Sequence, residues 1–148
     1  MAVAASSQAV DMSFESAGSV LVVDDNEMNR DMLVRRLEPL GYEVSTARDG
    51  AEAMDALMQN PFDLVLLDIM MPVKDGFEVL QEVKAHNDLH MIPVIMITAL
   101  DDTSSAARCI QLGAEDYLTK PFDPVLLKAR VATCLLYTSD AADEYNPV

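Results

Sequence analysis

Short apolar runs alternate with longer amphipathic ones along this chain, a pattern that restricts it to strand and helix units repeated around a parallel sheet. Five strands are predicted, at Val20–Asp24, Glu43–Thr46, Leu64–Asp68, Val94–Thr98 and Asp116–Leu118. The first, third and fourth are continuously apolar, as strands covered on both faces are, so those three are expected at the centre of the sheet. Helices are predicted near Glu27–Leu37, Ala51–Gln59, Phe77–Ala85, Ser104–Leu112 and Pro124–Cys134, with apolar residues at helical spacing such as Leu33, Leu37 and Leu40. Asn26, Asp49, Asp75, Thr103 and Asp123 are candidate N-caps, and Gly41 and Gly113 follow helices where a left-handed residue commonly ends them.

A chain of 148 residues suits one domain. With 51% hydrophobic and 24% charged residues it reads as globular, and no apolar run approaches the ~20 residues of a membrane span. The stretch Met1 to Gly18 lacks a basic start and a sustained apolar block, which argues against a secretory signal, and it is read as a loose tail. Cys109 and Cys134 form no close pair and no metal pattern with His86 or His90, as suits reduced thiols in a cytoplasmic protein. A formal charge of −15 argues against nonspecific nucleic-acid binding by this segment, because phosphate backbones reward clustered Lys and Arg. The ten methionines are read as fillers of irregular gaps and of signalling surfaces.

Right-handed crossovers place the helices on both faces, and ligands of such open sheets bind outside the carboxyl ends of the strands. The polar residues converge on that edge. Asp24 and Asp25 end the first strand, Asp68 the third and Thr98 the fourth, while Lys120 follows the fifth. Each has an ordinary reading alone: a helix cap, a strand-end threonine, a solvated lysine. Together they form a phosphoryl-transfer site, because carboxylate oxygens suit Mg²⁺ and the metal offsets the charge of an incoming phosphoryl group. Asp25 and Asp68 are expected as direct metal ligands, and Asp24 as a ligand through water. Asp68, at the end of a central strand, is the candidate nucleophile, forming an acyl phosphate. Lys120 is expected to contact a phosphoryl oxygen, with the Thr98 hydroxyl and the backbone N–H of Ala99 donating to the same group.

The runs Val20-Leu21-Val22-Val23-Asp24-Asp25-Asn26, Asp68-Ile69-Met70-Met71-Pro72-Val73-Lys74-Asp75-Gly76, Thr98-Ala99 and Lys120-Pro121-Phe122 resemble, in order, the motifs of the response-regulator receiver family. The resemblance covers about Ser19 to Thr133. It implies an α/β fold of the flavodoxin-like, CheY-like kind, a doubly wound five-stranded parallel sheet in strand order 2-1-3-4-5. It further implies phosphoryl transfer to Asp68 from the phosphohistidine of a histidine kinase or phosphotransfer protein, with the backbone carbonyl of Met70 completing the protein ligands of Mg²⁺. Thr98 and Tyr117 become the switch residues, remodelling the surface of the fourth helix, fifth strand and fifth helix. A cis bond before Pro121 is expected on the same ground.

The sequence also speaks against a hydrolase, a docking module and a flavin-binding protein. A hydrolase of the haloacid-dehalogenase kind carries an Asp-x-Asp nucleophile on the first strand, whereas here that strand ends in adjacent aspartates. A docking module needs no acidic pocket, and a flavin phosphate would be repelled by one. From Cys134 the run Cys134-Leu135-Leu136-Tyr137-Thr138-Ser139-Asp140-Ala141-Ala142-Asp143 departs from the family and resembles a translated sequencing adapter. Residues 134–148 are therefore expected to be non-native, and a downstream effector to be missing.

Overall fold

In the computed structural model, residues 17–99 and 103–144 are described, with backbone alone at residue 103 and over 137–144. The strands are β1 (Gly18–Val23), β2 (Tyr42–Ala47), β3 (Leu64–Asp68), β4 (Val94–Ala99) and β5 (Asp116–Lys120). Helices α1 (Glu27–Leu37), α2 (Gly50–Gln59), α3 (Gly76–Ala85), α4 (Thr103–Gln111) and α5 (Pro124–Glu144) alternate with them. All strand pairs are parallel and the sheet order is β2-β1-β3-β4-β5. This is the expected 2-1-3-4-5 order, with the three apolar strands in the middle.

Alternation along those strands divides the core in two. Leu21, Val23, Val65, Leu67, Val94 and Met96 face α2, α3 and α4, where they meet Ala53, Leu57, Val79, Leu80, Val83 and Cys109. Val20, Val22, Leu64, Leu66, Ile95 and Ile97 face α1 and α5, meeting Leu33, Leu37, Leu127 and Val131. Burial of each large aliphatic side chain contributes about 1.5–3 kcal/mol, so the two layers hold the strand register firmly and with it every residue at the strand ends.

The helix starts follow the side-chain chemistry of their caps. Asn26 accepts from the Asn29 N–H at 2.9 Å and Asp49 from the Glu52 N–H at 2.8 Å. Asp75 and Glu78 form a reciprocal capping box. Asp123 accepts from the Val125 N–H at 2.8 Å. Thr103 is the first residue of α4 rather than the residue before it, and its side chain lies outside the described residues. Gly41 and Gly113 take the left-handed conformation, at φ +100° and +110°. The bond before Pro121 is cis, as the resemblance implied.

Besides Thr103, three expectations need correction. Leu40 does not continue the buried stripe of Leu33 and Leu37: Pro39 closes α1 into a 3-10 turn, Glu38–Leu40, which carries Leu40 out of helical register to the surface. Gly18 belongs to β1, and Ala17 already bonds to the Gly41 carbonyl at 2.9 Å; the rest of the predicted tail, residues 1–16, lies outside the described residues. The last helix does not stop at Cys134 but continues to Glu144, since neither glycine nor proline interrupts it; residues 145–148 lie outside the described residues. Among the described residues no helix is long and apolar enough to cross a membrane.

Candidate functional site

The register delivers the polar strand ends to one place. Val23 pairs with Leu67 and Asp68 with Ile97, so Asp24 and Asp68 emerge level with each other and Thr98 one residue beyond. Thr98 pairs with Thr119 and Ala99 with Lys120, which brings the lysine to the same edge. Asp24 is wholly buried, while Asp68 and Thr98 are each 2% exposed. Asp25 is exposed. Carboxylate oxygens of Asp24, Asp25 and Asp68 lie within 4.8 Å of one another.

Three carboxylates this close repel one another, and one cation faces two of them. Lys120 Nζ lies 3.3 Å from Asp24 Oδ2 and 3.3 Å from Asp68 Oδ1. Burial, then the charge of Asp24, push the Asp68 carboxyl up to about 6, against the opposing pull of Lys120 and of a hydrogen bond from the Met70 backbone. Asp24 Oδ1 accepts from the Asn26 N–H at 2.9 Å, but its buried Oδ2 accepts no hydrogen bond. Such an oxygen, wholly out of water beside two further carboxylates, is the unsatisfied acceptor that a hydrated divalent cation completes. The hard-oxygen donor set fits Mg²⁺.

The β3–α3 loop wraps tightly over Asp68. The Gly76 N–H bonds to the Ile69 carbonyl at 2.8 Å, and a Cβ on Gly76 would stand 2.3 Å from the Asp68 carbonyl oxygen. Only glycine allows this approach. Between them, the Lys74 N–H reaches back to the Pro72 carbonyl at 2.7 Å, closing a three-residue turn centred on Val73 at φ +68°. Val73 is fully exposed, so no side-chain packing holds a β-branched residue in this strained conformation. The loop is braced instead by Lys74 Nζ on Glu82 Oε2 at 2.6 Å.

Thr98 donates its hydroxyl to the carbonyl of Ala99 at 3.2 Å, and Tyr117 is 39% exposed on β5. His86 and His90 lie away from this edge: His86 ends α3, where its Nδ1 accepts from the Asp88 N–H at 3.0 Å. Sequence reasoning did not single out Arg30, whose Nη1 donates to the Asp24 carbonyl at 2.8 Å. Its position one helical turn beyond Asn26 was the available signal.

A doubly wound sheet of this order, with a cluster of three aspartates and a lysine at its carboxyl edge, is the arrangement of a signalling receiver domain. The chain belongs to the response regulator receiver domain family, whose model matches residues 20–132. It is 44% identical over 133 residues to the probable transcriptional regulator ycf27 of Guillardia theta, covering 90% of this chain and 51% of that protein. Among solved structures, a putative response regulator from Chloroflexus aurantiacus J-10-fl matches with TM-score 0.78 at 35% identity, over 80% of this chain and 98% of that one. The chemotaxis protein CheY4 of Vibrio cholerae matches with TM-score 0.74 at 34% identity, over 79% of this chain and 98% of its own. The chain thus spans about half the length of the ycf27 relative it matches.

Proposed function

We propose that this receiver accepts a phosphoryl group on Asp68 from the phosphohistidine of a histidine kinase or phosphotransfer protein, and so switches a partner or downstream effector. The observation that carries the reading is the Asp68 carboxylate, nearly excluded from water, level with Asp24 and 3.3 Å from Lys120. An Asp68 oxygen forms the new bond to phosphorus as the phosphorus–nitrogen bond of the donor breaks. The electron pair of that bond returns to the donor imidazole. Lys120 contacts a phosphoryl oxygen, releasing its hold on the bare carboxylates. The Thr98 hydroxyl leaves the Ala99 carbonyl to donate to the phosphoryl group, joined by the Ala99 N–H.

Asp25, Asp68 and the Met70 carbonyl would hold Mg²⁺ directly, with Asp24 acting through water. When bound, the ion supplies the positive charge that this acidic cluster and a phosphoryl group both require. The domain promotes only its own phosphorylation and slow dephosphorylation. Thr98 and Tyr117 form the switch, biasing an equilibrium between two arrangements of α4, β5 and α5. A kinase-borne phosphohistidine as donor supports a cytoplasmic location for the domain. The ycf27 relative, of which this chain matches about half, is consistent with an output carried on a further segment. We read residues 134–148 as non-native.

The reading is tested by incubating the chain with acetyl phosphate, with and without Mg²⁺, and following intact mass. One phosphoryl mass is expected only with Mg²⁺, and none in Asp68→Asn. Labelling of Asp68→Asn at the wild-type rate would remove Asp68 as acceptor.

A further inference from the structure

The turn between β1 and α1 carries Asp24 and Asp25, and besides the Lys120 ion pair three hydrogen bonds fasten it at Asp24. The Asp24 N–H donates to the Ala47 carbonyl of β2 at 3.1 Å, its Oδ1 accepts from the Asn26 N–H at 2.9 Å, and its carbonyl accepts from Arg30 Nη1 at 2.8 Å. The first two bonds come from backbone that the fold supplies in any case. The third depends on one side chain, that of partly buried Arg30 in the first turn of α1.

The Asp24 carbonyl and the Asp25 N–H belong to one planar peptide unit, so holding that oxygen restrains the rotation of the plane from which the Asp25 side chain departs. This matters because Asp25 is exposed and, among the described residues, no side chain or backbone group holds its carboxylate. Its place within 4.8 Å of the Asp24 and Asp68 oxygens is set by the main chain. The guanidinium bond is charge-assisted, and at 2.8 Å it is the shortest of the three.

We infer that Arg30 is a positioning residue for the cation site: its guanidinium, through the Asp24 carbonyl, holds Asp25 in reach of the ion that Asp68 shares. The inference rests on the reading of Asp24, Asp25 and Asp68 as a divalent-cation site. It carries a sign that separates it from simple electrostatics. Arg30 is positive, so by charge alone its removal would strengthen binding of a dication; as a positioning residue, its removal weakens it.

The test is calorimetric titration of Mg²⁺ into the full chain, as wild type, Asp25→Asn, Arg30→Met and Arg30→Lys, with melting temperatures recorded in EDTA. Wild type is expected to bind and Asp25→Asn to lose binding. Arg30→Met is expected to weaken Mg²⁺ affinity about tenfold, the scale of losing a residue that orients a metal ligand, with little change in the metal-free melting temperature. Arg30→Lys retains the charge without the planar fork and is expected to weaken binding several-fold. Unchanged or tighter binding in Arg30→Met overturns the inference while the cation site stands. Wild-type affinity in Arg30→Lys overturns it likewise, and this variant decides the matter should Arg30→Met fail to fold. A wild type that takes up no Mg²⁺ removes the cation-site reading and this inference with it.

Discussion

The ammonium of Lys120 lies 3.3 Å from Oδ1 of Asp68, and this single cation stands between a buried carboxylate and the like charge of Asp24. It draws the Asp68 carboxyl down, yet burial and Asp24 together outweigh it. The unmodified domain is therefore under electrostatic tension at neutral pH, and four measurable consequences follow from the surrounding geometry.

Folding stability should fall as pH rises from about 4 to about 6. The Asp68 carboxyl is held at about 6 against the 3.8 of an unperturbed aspartate, so the folded state keeps its proton where the unfolded chain has lost it. The contribution is fully present below the unfolded value and gone above the folded one, and a shift of this size corresponds to roughly 3 kcal/mol. Asp68→Asn should remove the dependence and leave the protein more stable than wild type at pH 7.5. Urea denaturation of both proteins at pH 4 and 7.5 measures it; an equal gap between them at the two pH values would contradict the assignment.

Lys120→Met removes the cation while keeping the aliphatic stem. Asp24 and Asp68 then face each other unbalanced, so the loss of stability should be about 1–3 kcal/mol at pH 7.5, tempered because Lys120 is 30% exposed, and smaller at pH 5. Denaturation at the two pH values distinguishes this from a lost packing contact, which would show the same loss at both.

Val73→Gly should stabilise the fold. Holding a β-branched residue at positive φ costs about 1–2 kcal/mol, whereas glycine costs about 0.5–1 kcal/mol in backbone entropy, and the fully exposed side chain gives nothing back. A net gain of about 0.5–1 kcal/mol is expected in thermal or urea unfolding. A clear loss would mean that the strain is held by contacts the turn needs.

Gly76→Ala should be severely damaging, by more than about 3 kcal/mol. The added methyl would meet the Asp68 carbonyl oxygen at 2.3 Å and the Ile69 Cα at 2.7 Å, both backbone atoms that cannot step aside cheaply. Circular dichroism melting gives the magnitude, and wild-type stability would show that α3 can slide away from Asp68.

Much of this was legible in the sequence because the period of burial and the identity of the strand ends are local properties. Leu64 to Asp68 and Glu27 to Leu37 have the predicted limits, and Asn26, Asp49 and Asp75 cap helices because a short polar side chain before an amphipathic run can do little else. What escaped depends on rotation about bonds that the sequence does not encode directly. Valine is a poor candidate for positive φ, so nothing marked Val73. Arg30 touches Asp24 only once the angle between β1 and α1 is set. Leu40 was lost to a proline whose effect was a tighter turn rather than a clean stop. Arg108, whose guanidinium stacks 4.2 Å above the Phe77 ring and ties α4 to α3, had no local signature at all.

The three central strands, apolar along almost their whole length, have a second consequence in the chain that has not yet folded. Val20 to Val23, Leu64 to Leu67 and Val94 to Ile97 are short, uncharged, β-branched or leucine-rich segments without proline, the composition that stacks into intermolecular sheets when solvent reaches it. In the folded domain they are sealed between helices and flanked by edge strands carrying Glu43 on one side and Asp116 and Lys120 on the other, charges that discourage a further strand from adding. Recovery of native protein after dilution from denaturant should therefore decline steeply with concentration, through capture of these strands by one another before the helices close over them.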